Sequence, residues 1–316
     1  MARPPDSKLR SLHVGNYGAV MGLAGLGLTA RAAAPLFPGI FRAPSYFTEP
    51  WVLAGLVALL VLVVLYAIKL ARDFKAVRAD FTDPGTLGFC GALPVGMTLV
   101  AGGLAPYVPG FSSGLWWTGT LMLLAFQVWT LSRWIAGFDL AKLNAGWLIV
   151  MVGGIVVPGP GIALGHVEAS HVFFGISATV APLLMALLLY RAAALPPLAE
   201  ALRPTWFILL VPPSLIYANG MALFNFEPLE HLYFFALALT LALFVYARGF
   251  LRWPFAPSWW AFTFPLDALA YAAVRYAQAH PAPLWRGIAF AALVLATLAV
   301  AVVLVRTLRS AASRGA

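Results

Sequence analysis

The apolar stretches of this chain come in two kinds, and the two kinds alternate. Ten runs can be marked, near 14–30, 51–70, 86–105, 114–132, 146–165, 170–190, 206–224, 231–247, 259–278 and 286–305. A run of ~20 apolar residues crosses a bilayer as a helix. The odd-numbered runs hold 17 glycines and six prolines (Pro94, Pro158, Pro160, Pro212, Pro213, Pro265), while the even-numbered runs hold five glycines and one proline, Pro182. Proline deletes a helical hydrogen bond and kinks the helix. In hydrocarbon the freed carbonyl is costly, so such breaks sit where protein or cavity water covers them. Glycine lets helices approach closely. Kinked, Gly-rich helices therefore belong inside and smooth apolar ones outside. The expectation is an all-α integral membrane protein. Five kinked helices form an inner ring around a central pore and five more form an outer ring, in one transmembrane domain over residues 1–316.

Composition fixes the class. The chain is 62% hydrophobic and 10% charged, against about 25% charged for a soluble domain. The segments between runs are short and leave no room for a soluble domain. The charged start, Met1 to His13, leads into a Gly-rich run without a clear cleavage site, so it reads as retained rather than as a signal peptide. Cys90, the single cysteine, lies inside the third run and has no partner for an intrachain disulfide.

Charge then orients the chain. With the N-terminus inside, 16 of the 20 basic residues fall on the inner side, from Arg3, Lys8 and Arg10 at the start to Arg314 at the end. Only Arg31, Arg42, Arg275 and Arg286 fall outside. The positive-inside rule places both termini in the cytoplasm and fits an even number of spans. The inner acids are Asp6, Asp73, Asp80, Asp83, Asp139 and Glu200. Orientation alone accounts for a net charge of +9, so no nucleic-acid partner is implied. Alanine, arginine and proline usage fits a bacterial inner membrane.

The odd runs carry few ionisable groups: among their polar residues are Asn16, Tyr17, Thr98, Ser214, Tyr217, Asn219, Thr263 and Asp267, with Arg275 near the end of the ninth. No acidic ring of the kind that selects cations is present. A solute would meet backbone dipoles, hydroxyls and aromatic faces, a lining that passes an anion without trapping it. The segment His166-Val167-Glu168-Ala169-Ser170-His171 lacks metalloprotease spacing and reads as a surface loop. Glu230-His231 could join it in an outer vestibule. No phosphate-binding loop, cysteine cluster or nucleophile triad is present, which leaves an integral-membrane enzyme as a remote alternative and implies no cofactor and no metal.

The order of several short motifs is informative. Trp259-Trp260-Ala261-Phe262-Thr263-Phe264-Pro265 opens the ninth run. Tyr66-Ala67 with Lys69-Leu70, Phe74 and Val77-Arg78-Ala79 closes the second. Arg203-Pro204-Thr205 leads to Pro212-Pro213. Gly18, Gly22-Leu23-Ala24, Pro94 and Phe173-Phe174-Gly175 also fit. In these residues the chain resembles the tellurite-resistance/dicarboxylate transporter family, which includes bacterial TehA, the plant slow anion channels and fungal malate and sulfite transporters. The resemblance runs from about Gly15 to Arg306. It implies ten helices, a five-helix pore, passage of small inorganic or carboxylate anions, a homotrimer in membrane lipid and no cofactor. It also implies a phenylalanine in the ninth helix that occludes the pore, which maps to Phe264. Phe262 is the nearby competitor, two residues and ~200° away around a helix. Gly18, Pro94, Pro213 and Pro265 are the expected pore-lining or kink positions.

Two departures stand out. Prolines common in the family's first and fifth helices are Val20 and Val150 here. Asp267 puts a carboxyl inside a span, where ionisable groups mark pathways or paired sites. Three readings stay open for it: a structural role, either paired with Arg275 or another base or as a protonated, neutral acid; pH control or proton coupling; and direct contact with substrate. A channel and a proton-coupled carrier of small carboxylates or sulfite are both compatible with this sequence.

Overall fold

The computed structural model of the chain describes residues 12–41 and 44–313, without the side chains at 44–46 and 251. Arg3, Asp6, Lys8, Arg10, Arg42 and Arg314, used above to orient the chain, lie outside the described residues. Among the described residues all regular structure is helical. The α-helices are α1 (Gly18–Ala33), α2 (Pro44–Arg72), α3 (Phe74–Thr82), α4 (Ala92–Leu104), α5 (Pro109–Ala136), α6 (Trp147–Val152), α7 (Pro158–Ala163), α8 (Val167–Ala194), α9 (Val211–Phe224), α10 (Glu230–Tyr246), α11 (Thr263–Ala279) and α12 (Pro283–Ser313).

Among the described residues, seven helical segments are long and apolar enough to cross a membrane. They correspond to seven of the ten expected runs. The other three are also helical but differ in character. α5 is long, yet its tryptophans, threonines and Gln127 dilute its hydropathy. The segment Trp147–Ala163 is apolar but shorter. α11 carries Asp267 and Arg275.

The alternation in composition is an alternation in burial. The odd segments Val14–Leu36, Leu87–Leu104 and Glu200–Phe224 are 61%, 83% and 72% buried over their apolar windows. The even segments Phe47–Arg72, Val167–Ala194, Glu227–Tyr246 and Pro283–Ser313 are 17%, 33%, 22% and 33% buried. Leucines, valines and phenylalanines on the even helices form the outward surface, among them Leu60, Val128, Leu183, Leu241 and Leu298.

Backbone geometry divides along the same line. Each odd segment contains a 3-10 stretch: Val14–Tyr17, Leu87–Gly91, Gly153–Ile155, Glu200–Leu210 and Pro257–Phe262. α2, α5, α8, α10 and α12 run without such a break. The odd-segment prolines explain where the breaks fall. Pro94 in α4, Pro158 and Pro160 in α7, Pro212 and Pro213 in α9, and Pro265 in α11 all lie within the first three residues of an α-helix. The first N–H groups of a helix have no intrahelical acceptor, so proline costs least there. In α4, α7, α9 and α11 the proline therefore sits in the first turn rather than kinking the helix midway.

Glycine permits the tight inner packing. At Gly91 an added Cβ would lie 2.6 Å from Val150 Cα, a backbone contact that cannot give way. At Gly96 the neighbour is the Val20 side chain, with Cγ1 3.0 Å from an added Cβ. The two valines that replace the family's prolines are thus fully buried wedges between segments.

Candidate functional site

Two cavities lie along the inner segments. The near cavity, of about 390 Å³, sits at the end where the odd segments begin. The far cavity, of about 470 Å³, sits where they finish. The lining of each comes from all five odd segments and the loops joined to them, with no residue from the even helices. Two side chains line both cavities: Phe264 and Val156.

Phe264 is the second residue of α11, one before Pro265, and is 6% exposed. Its ring rests on Gly25 of α1: a Cβ there would meet Phe264 Cδ2 at 3.0 Å and Asp267 Oδ2 at 3.1 Å. Ring and carboxyl therefore converge on one glycine, as the three-residue spacing on a helix requires. Phe262 points elsewhere. Its ring packs edge-on against Phe207 at 4.6 Å and stacks on Trp253 at 6.2 Å, and it lines neither cavity.

The other expected positions divide. Gly18 and Pro265 line the near cavity. Pro94 and Pro213 are buried but belong to neither lining, and Pro212 lines the near cavity in place of its neighbour. The Pro94 carbonyl faces Gly119 of α5.

Asp267 lines the far cavity and is 1% exposed. Among the described residues neither carboxyl oxygen has a hydrogen-bond partner. Thr29 donates to its backbone carbonyl, at 3.2 Å, and not to the side chain. The pairing with Arg275 does not form, because Arg275 donates to Gln278 at 3.1 Å. Asn219, across the cavity, donates to the Ile155 carbonyl at 2.7 Å and leaves its own Oδ1 unpartnered. At the rim Arg31 pairs with Glu49 at 2.9 Å and donates to the Gly103 carbonyl at 3.1 Å.

A buried polar cluster stands beside His13, outside the lining of the near cavity. Lys69, at the end of α2, donates to Asp80 of α3 at 2.7 Å and to the Leu12 carbonyl at 2.8 Å. Tyr66 donates to the same Asp80 oxygen at 2.7 Å. The adjoining His13 lines the cavity, and its Nδ1 accepts from the Gly15 N–H at 2.9 Å, capping the first 3-10 turn. Burial, reinforced by the Lys69 charge, holds His13 below the usual histidine range against the opposing pull of Asp80 and Asp83.

The histidine segment is structural. His166 bonds Ser113 at 2.6 Å and stacks on Trp116, and Glu230 pairs with His280 at 2.7 Å rather than with His231. Among the described residues no group of His, Cys, Asp and Glu could hold a metal ion.

Comparison with known families matches residues 11–308 to SLAC1, the voltage-dependent anion channel family. The chain belongs to that family. Relatives of this SLAC1-family chain include the S-type anion channel SLAH3 of Arabidopsis thaliana, 24% identical over 96% of this chain and 50% of its own length. The S-type anion channel SLAH2 of the same plant is 26% identical over 71% of this chain and 44% of its own length. The tellurite resistance protein TehA homolog of Haemophilus influenzae is 24% identical over 84% of this chain and 81% of its own length. The chain thus spans about half the length of the plant relatives it matches. Family membership and the long apolar helices make it an integral membrane protein.

Sequence reasoning missed Val156, Gly25 and the Lys69–Asp80 pair. Gly25 and Val156 carry no chemical signature, since only the approach of another segment gives them a role. Lys69–Asp80 had a signal: a lysine at the end of an apolar run, eleven residues before an acid, with a short amphipathic helix between.

Proposed function

We propose that this protein passes small anions through a pore formed by its five odd segments, with Phe264 as the plug. Ten spans form two rings, the odd segments inside and the even ones outside. The observation that carries the reading is that Phe264 and Val156 alone line both cavities, whose walls come only from odd segments. A ring at that place separates two water-accessible spaces by steric block and dewetting. The lining on either side of the ring is rich in glycine and proline, so backbone dipoles rather than charged side chains face the path beside it. Chloride, nitrate or a small carboxylate would meet dipoles there and no fixed positive charge that would hold it.

The near end is cytoplasmic on this reading, and both termini lie there in a bacterial inner membrane. The functional unit is a homotrimer in lipid with one pore per subunit, as the resemblance implies. Asp267 is the point of pH control. Its carboxyl shares the Gly25 seat with the ring, so moving the ring gives water access to the acid. The second reading, a proton-coupled carrier, rests on the same unpartnered carboxyl, which a coupled cycle could load and unload.

Planar-bilayer recordings of wild type, Phe264→Ala and Asp267→Asn test this. A small wild-type current that rises about 30- to 100-fold in Phe264→Ala, with reversal potentials following the anion gradient, is expected if the seated ring is favoured by about 2–3 kcal/mol. The Asp267→Asn current loses its dependence on pH. No current in any form, with uptake of malate or sulfite into liposomes driven by a proton gradient, would replace the channel with the carrier.

A further inference from the structure

The segment that carries Phe264 has a second face. Phe262 and Leu266, on either side of Phe264 in sequence, line a third cavity of about 430 Å³ on the side away from the path. Its walls also include Phe207, Phe244, Leu298 and Val302. Phe244, Leu298 and Val302 are at the same time part of the outward apolar surface, so the cavity is a groove open to the bilayer. Along α12 it extends from Leu295 to Val303, a rise of about 12 Å, enough for a stretch of extended acyl chain.

One end of the groove is basic. Arg248, at the end of α10, lines it and is exposed. Arg306 stacks at 4.6 Å over Trp259, another lining residue. Neither arginine has an ion-pair partner among the described residues. The acid at this end, Glu200, is taken up by Arg203 at 3.1 Å, and after Glu230 the only acid in the sequence is Asp267, which lines the far cavity. An apolar slot ending in uncompensated arginines is complementary to a chain bearing a phosphate. Basic pockets between transmembrane helices on the cytoplasmic side bind anionic head groups on the same principle.

We propose that this groove binds an anionic phospholipid, with one acyl chain between α10, α11 and α12 and the phosphate at Arg248 and Arg306. The bound chain packs on Phe262 and Leu266, on the face of the segment away from Phe264. The binding itself does not depend on whether the path conducts.

Native mass spectrometry of the purified protein tests it, with phosphatidylglycerol and phosphatidylcholine of identical chains as probes. Two arginines at the interface predict a preference for phosphatidylglycerol on the order of 30-fold. Arg248→Gln with Arg306→Gln removes the preference but leaves weak retention of both lipids. Ala299→Phe, which fills the groove, removes retention of both. Glycerol 3-phosphate does not displace the lipid. As a measure that needs no substitution, phosphatidylglycerol raises the melting temperature of the wild-type protein more than phosphatidylcholine does. Equal retention of the two lipids by wild type, full displacement by glycerol 3-phosphate, or an Ala299→Phe protein that changes its oligomeric mass while still retaining phosphatidylglycerol would each overturn the proposal.

Discussion

Removing Lys69 should do more damage than removing Lys69 and Asp80 together. The ammonium is 2% exposed and holds Asp80 at 2.7 Å, while Tyr66 holds the same oxygen and Leu12 supplies a carbonyl at 2.8 Å. Lys69→Met leaves a carboxylate that is 12% exposed, with one hydroxyl as its remaining side-chain donor. Stranding one member of a buried pair costs about 3–5 kcal/mol. The small exposure of Asp80 puts this case near 3, and the orphaned Leu12 carbonyl adds about 1, for a total near 4 kcal/mol. Replacing both partners with apolar residues of similar size strands no charge and is close to neutral. Lys69→Met/Asp80→Leu then loses only about 1–2 kcal/mol, chiefly from Leu12 and Tyr66. The coupling from the double-mutant cycle is therefore at least about 2 kcal/mol. Unfolding of the four proteins in one detergent, followed by thermal melting, measures it. Proteolysis ahead of Val14 provides a local readout, since the Leu12 tether is lost in every variant lacking Lys69. A Lys69→Met protein within about 1 kcal/mol of wild type, or no less stable than the double variant, would refute the reasoning.

Other outcomes follow from the same geometry. Gly25→Ala puts a methyl 3.0 Å from the Phe264 ring and 3.1 Å from Asp267 Oδ2; the ring must shift, and anion current should lie between wild type and Phe264→Ala. Phe262→Ala, which opens an aromatic cluster away from both cavities, should lower the melting temperature and leave conductance near wild type. His13 is held neutral by burial, so the unfolded chain binds more protons than the folded one as pH falls below the ordinary 6.5. Its contribution is whole above that pH and is lost on acidification. Protonation also turns Nδ1 from acceptor to donor and breaks the cap on Gly15. The protection of the Gly15 amide, taken relative to its intrinsic exchange rate at each pH, should fall as pH drops below the ordinary histidine value of 6.5, and should be low and insensitive to pH in His13→Ala.

The division into buried and exposed segments was legible in the sequence because it is a matter of composition. A segment surrounded by protein can carry glycine, proline and broken backbone, whereas one facing lipid must satisfy every backbone group within its own helix. The contrast between Gly-rich Leu87–Leu104 and the uninterrupted α12 follows from that requirement. The place of the prolines was legible only in part. Their presence marked the odd segments, but their position in the first turn of each α-helix depends on the 3-10 stretch before it, which local composition does not announce.

The candidate site was legible where one residue carries the information and hidden where two segments share it. Phe264 and Asp267 lie three apart, and their common face follows from helical spacing alone. That they meet Gly25 does not, because nothing in α1 indicates which distant segment will cross it. The same holds for Thr29, which bonds a carbonyl 238 residues away, and for Asp267 itself. A carboxyl in a span invites a search for its counter-charge, and Arg275 is the obvious choice two turns along. The helix instead turns Arg275 toward Gln278 and the carboxyl toward Gly25, so among the described residues the acid remains unpaired, beside the ring that lines both cavities. An unpaired acid there is a poor stabiliser and a sensitive one: any movement of the neighbouring ring changes its access to water. The Gly25→Ala and Asp267→Asn variants therefore probe one seat from two sides, and agreement between their effects on current would tie ring and carboxyl to a single gate.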